Sequence, residues 1–108
     1  MSEIFTVHTL KNQIRLNETA TEAYIRPIVE IELERAATVF IAQSIDGMEL
    51  FAPVRYPLEK GRQAVLLKTM RVIQPRRGAS YKIAVSVSVS ANGASPEEHA
   101  ADCILIEA

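Results

Sequence analysis

The residues best equipped for chemistry lie near the C-terminus. There His99-Ala100-Ala101-Asp102-Cys103 gathers an imidazole, a carboxylate and a thiol in one short run. On a strand His99 and Cys103 share a face, but the extended chain between them keeps them beyond hydrogen-bond reach, and Asp102 points the other way. A zinc site takes three or four ligands, and His8 is the one other histidine available. The run therefore reads as a small buried cysteine on a C-terminal strand beside a solvated loop histidine. Glu30, Glu32 and Glu34 form a second set. Alternate strand positions stand about 6.5–7 Å apart, too far to close on one small cation, and calcium sites wrap loop oxygens around the ion. No metal and no cofactor is expected.

A third set is basic: Arg71, Arg76, Arg77 and Lys82 surround a turn at 75–78. Such a cluster could capture an anionic group or an acidic partner, with affinity collapsing as salt rises. A solvated loop paired internally with acidic side chains explains it equally. No aromatics interleave with these cations to stack bases, which argues against nucleic acid. The sequence contains no GxSxG, HExxH or P-loop motif, so no enzymatic activity is expected. With no tryptophan, three tyrosines and three phenylalanines, aromatic platforms for carbohydrate are scarce.

Charge and composition narrow the classes further. The chain has 108 residues, 48% hydrophobic and 23% charged, which suits one globular domain spanning 1–108. Net charge is −1 but unevenly spread. Residues 1–54 hold four basic and eight acidic side chains; 55–82 hold eight basic and one acidic; 83–108 hold four acidic and none basic. No apolar run approaches the ~20 residues of a membrane helix. The start, Met1-Ser2-Glu3-Ile4-Phe5-Thr6, does not have the basic-then-apolar pattern of a signal peptide. Together with a single cysteine, this points to a reducing, cytoplasmic setting. Asn17-Glu18-Thr19 then reads as a chance sequon.

The elements that must position these residues follow a period of two. Along 81–90, Tyr81, Ile83, Val85, Val87 and Val89 share one face, and Lys82, Ala84, Ser86, Ser88 and Ser90 the other. β-branched valines favour a strand. Residues 25–35 alternate likewise, with Pro27 marking a start, a bulge or an edge. Residues 38–45 and 48–54 flank Asp46-Gly47, which suits a type I′ hairpin turn. That turn would pair Ile45 with Met48, Ser44 with Glu49, Gln43 with Leu50, Ala42 with Phe51, Ile41 with Ala52 and Phe40 with Pro53. Further strands are expected at 4–10, 13–16, 64–73 and 102–107, and a helical turn at 95–101, capped by Ser95 with Pro96 following. The acidic stripe on 25–35 should face Lys68 and Arg71 on a neighbouring strand.

About seven strands at short intervals make an all-β, antiparallel two-sheet sandwich. Ile73-Gln74-Pro75, Gly78 and Tyr81-Lys82-Ile83-Ala84-Val85 resemble the tyrosine-corner region of fibronectin type III and related immunoglobulin-like domains. Val39 to Gly47 is similar to that family's central strand and turn. The resemblance implies an immunoglobulin-like architecture, and fold alone does not fix function.

One surface stands out. The hairpin is apolar on both sides, with Phe40, Ala42, Phe51 and Pro53 at the centre of the side turned away from the expected core. In this architecture the 81–90 strand adjoins the hairpin and adds Ser86 and Ser88. An apolar centre with a polar rim is interface anatomy. The expectation is a non-enzymatic interaction or structural module that packs this face against another copy or another protein. The alternative is a ligand-binding domain using Arg71, Arg76, Arg77 and Lys82.

Overall fold

The computed structural model describes residues 4–76, 78–89 and 97–106. All regular elements among them are strands: β1 Phe5–Leu16, β2 Glu22–Leu33, β3 Ala37–Ile45, β4 Met48–Glu49, β5 Val54–Leu58, β6 Gly61–Leu66, β7 Met70–Ile73, β8 Ser80–Ser88 and β9 Ala100–Leu105. In one antiparallel sheet, β2 lies between β1 and the pair β6 and β7. In the other, β3 is flanked by β4 and β5 on one side and β8 on the other, with β9 outside β8. The two sheets form an immunoglobulin-like sandwich 46 Å long and 22 by 18 Å across.

Alternation decides what each sheet buries. Val29, Ile31 and Leu33 of β2, Val39 and Ile41 of β3, and Val85 and Val87 of β8 fill one half of the interior. Ile25 and Ala23 of β2, Met70, Tyr81, Ile83, Ile104 and Ile106 fill the other. Burying each large aliphatic side chain contributes about 1.5–3 kcal/mol.

Pro27 shapes the seam between these halves. Its carbonyl accepts from Leu67 N–H at 3.0 Å, but its ring nitrogen has no proton to return. The facing strand breaks there: Ile28 pairs with Leu66, yet Ile25 pairs with Met70, so one extra residue bulges between β6 and β7. The expected strand 64–73 is thus two strands, and β2 starts at Glu22, before the proline. Side chains satisfy the backbone groups that the break frees. Buried Gln43 donates from Nε2 to Lys68 O (2.8 Å) and accepts at Oε1 from Lys68 N–H (3.0 Å). Arg26 Nε donates to Leu67 O at 3.2 Å.

Three further expectations need correction. Residues 4–10 and 13–16 form one strand, β1, whose ladder shifts between Val7 and Thr9; His8 sits at the shift and bonds Glu32 at 2.9 Å. The hairpin begins as expected, Ile45 with Met48 and Ser44 with Glu49, over Asp46 and Gly47 at positive φ of 49° and 82°. It then departs, and pairing resumes with Ile41 opposite Val54 and Phe40 opposite Arg55, two residues late. The excursion at 50–53 lets Phe51 pack against the second core half. Residues 97–99 are not helical and β9 begins at Ala100; Ser95 and Pro96 of the expected helical turn lie outside the described residues.

Candidate functional site

The outer face of the β3–β8–β9 sheet is built from small side chains. The strand register sets Phe40 opposite Ser88, Ala42 opposite Ser86 and Ser44 opposite Ala84. On the far side Ala84 meets Ala101. The facing pairs at this centre are serines and alanines, and Ala84 is only 4% exposed although its strand parity turns it outward. Phe40 is half-buried. Charged groups ring this centre: Glu49 opposite Ser44, Arg55 opposite Phe40, and Lys82 beside Cys103. Leu105, 47% exposed, adds an apolar side chain on β9.

Four of the six residues singled out in the sequence therefore lie together: Phe40, Ala42, Ser86 and Ser88. The other two do not join them. Phe51 sits in the 50–53 excursion, half-buried against the second core half with the Lys68 ammonium 5.5 Å from its ring centroid. Pro53 is exposed in the same excursion. Ser90 lies outside the described residues.

The basic cluster is spread and internally occupied. Arg71 pairs with Glu22 across the β2–β7 ladder. Arg76 lies against the Tyr81 ring, 5.0 Å from its centroid, and 3.4 Å from Asp46 Oδ2. Lys82 Nζ lies 2.8 Å from Glu98 Oε1, a carboxylate that holds the ammonium's pKa above its ordinary value. Arg77 lies outside the described residues. The acidic stripe shares a sheet with Arg71, as expected, whereas Lys68 lies in the break between β6 and β7, and the stripe takes other partners: Glu30 pairs with Arg62 and Glu32 with His8.

The His99 and Cys103 readings are reversed. Cys103 is exposed, because Ile104 and Ile106 take the inward positions of that segment. His99 is half-buried. Its Nδ1 accepts from Val87 N–H at 3.0 Å, and its ring meets Phe5 edge-on at 5.3 Å. Among the described residues, no three metal-ligating side chains come together.

A cleft that sequence reasoning missed opens between the edges of the two sheets. Arg26, Phe51, Val54, Tyr56, Leu67 and Lys68 line about 510 Å³ there. These residues are scattered over β2, the hairpin excursion, β5 and the β6–β7 break. Only the broken ladder at Pro27 hinted at the site.

Tyr81 supports the architectural class. Its hydroxyl accepts from Arg76 N–H at 2.7 Å, five residues upstream, which is the tyrosine-corner bond of immunoglobulin-like sandwiches. The class is therefore an immunoglobulin-like β-sandwich. The sequence matches no family profile and no curated protein. Among solved structures, the Amycolatopsis orientalis exo-chitosanase CsxA is similar over 95% of this chain, with a TM-score of 0.69 and 13% identity. A Parabacteroides merdae β-glucuronidase is similar over 94%, with a TM-score of 0.61 and 14% identity. This chain spans 13% of the length of each. At such identities the likeness establishes the fold alone.

Proposed function

We propose that this chain is a non-catalytic β-sandwich module that docks against protein through the outer face of its β3–β8–β9 sheet, with a second copy as its occupant. The observation that carries the reading is the small-residue centre formed by Ala42, Ala84, Ser86 and Ala101. Small side chains let a facing sheet approach closely, and they lose little side-chain entropy when covered. The half-buried Phe40 offers the aromatic anchor, while Glu49, Arg55 and Lys82 supply orientation at the rim. The basic cluster is the weaker reading, because Arg71, Arg76 and Lys82 already hold carboxylates.

Sedimentation velocity of wild type against Ser86→Glu tests this. A carboxylate placed at the centre would be buried without a partner, so association should weaken by at least about a hundredfold. A wild type that stays monomeric at every concentration, or a variant that associates as tightly, contradicts self-association.

The second reading rests on the structural neighbours: the similar segments lie inside an exo-chitosanase and a β-glucuronidase. On that reading the sandwich serves a longer carbohydrate-active chain and presses the same face on an adjoining domain. It expects the isolated sandwich to be monomeric.

A further inference from the structure

The cleft between the sheet edges is a shallow, open depression of about 510 Å³. Its apolar lining comes from Val54, Leu66, Leu67 and the Phe51 ring. Two cations stand over it, and neither has a carboxylate partner among the described residues. Arg26 gives its Nε to the Leu67 carbonyl at 3.2 Å, and its two Nη groups have no partner among the described residues. Lys68 rests its ammonium over the Phe51 ring. Arg62, Arg71, Arg76 and Lys82, by contrast, each hold an acidic side chain. Tyr56, half-buried in the same cleft, has a hydroxyl with no hydrogen-bond partner among the described residues. Burial pushes its pKa above the ordinary phenol value, against the pull of Arg26, so at neutral pH it remains a donor.

The walls are fixed in advance. Gln43 grips Lys68 through both amide atoms. Its own carbonyl accepts from Leu50 N–H at 3.2 Å, at the start of the excursion that carries Phe51. One buried residue thus ties down both sides of the cleft, which lowers the ordering cost of binding.

We propose that this cleft binds small organic carboxylates with an apolar or aromatic body. Arg26 and Lys68 take the carboxylate, Tyr56 donates to it, and Phe51, Val54 and Leu67 cover the body. Charge-assisted bonds from the exposed Arg26 and Lys68 favour the anion over a neutral ligand. The apolar lining separates this ligand class from inorganic anions.

Titration of the ¹⁵N-labelled protein with phenylacetate, and with its neutral isostere phenylacetamide, tests the assignment. Saturable shifts are expected at Phe51, Tyr56, Leu67 and Lys68, with phenylacetate at least about tenfold tighter than the amide. Arg26→Gln and Lys68→Gln should each weaken phenylacetate by about fivefold or more. Arg62→Gln, whose partner Glu30 lies elsewhere, should not. The Lys68 side chain makes no hydrogen bond among the described residues, so that variant remains informative if Arg26→Gln is unstable. No saturable shift, or equal affinity for the acid and the amide, overturns the proposal.

Discussion

Glu22 and Tyr24 show how single side chains set the electrostatics of the sheet end. Tyr24 donates its hydroxyl to Glu22 Oε2 at 2.6 Å, and Arg71 pairs with the same carboxylate. Both hold the Glu22 pKa below its ordinary value, the tyrosine bond being the larger cause. A carboxyl whose folded pKa lies below its unfolded one adds stability above the unfolded value and loses it as pH falls through the folded value. Wild type should therefore melt higher than Glu22→Gln near neutral pH, and the gap should close as pH falls below ~4.5. A gap that is constant with pH would contradict the pairing. Because the pair is partly solvated, added salt should narrow the gap as well. Tyr81 was legible in the sequence, since a proline-and-glycine turn before an alternating strand implies its corner bond. His99 and Cys103 were not. Residues 103–106 are apolar throughout, so no alternation reveals which of them face inward. The outcome depends on β9 pairing Lys82 with Cys103.

At the scale of elements, the sequence was readable wherever polar and apolar residues alternate. β2, β3 and β8 lie near their expected places and bury the expected sides. It was unreadable where tertiary packing outweighed local pairing. The Asp46-Gly47 turn set the first two hairpin pairs, and Asp46 reinforces it by accepting at Oδ1 from Lys82 N–H at 2.8 Å. Beyond that, packing of Phe51 on the second core half outweighed continuation of the ladder. The excursion costs two residues of register, an even number, so the alternation of faces is preserved beyond it. The break at Pro27 is similar: the missing donor was visible, but the side chains that compensate for it were not. Gln43 clasps that break, and removing it leaves the Lys68 amide and carbonyl unpaired. Gln43→Ala should cost about 1–3 kcal/mol in urea unfolding. Amide exchange at Lys68 should accelerate more than exchange in β8. Unchanged stability would show that the clasp is idle.

For the whole molecule, the all-β sandwich was legible and the proposed docking face only partly so. Phe40, Ala42, Ser86 and Ser88 share one face because β3 and β8 are antiparallel neighbours in the register their alternation requires. Phe51 and Pro53 fell away with the hairpin register, and the phenylalanine serves the cleft instead. The two regions differ in chemistry as well as place. The sheet face is small-residued and nearly neutral at its centre; the cleft is an open depression lined by Arg26 and Lys68. Contact through the face should survive high salt, whereas carboxylate binding at the cleft should weaken.

Amide chemical shifts of the isolated protein, recorded by NMR as its concentration is raised, decide whether the β3–β8–β9 face self-associates. Self-association through this face should shift Phe40, Ala42, Ala84, Ser86, Ser88 and Ala101 progressively and leave the outer face of the β1–β2–β6 sheet unmoved. Shifts clustered on that other sheet, or none at any concentration, would contradict it.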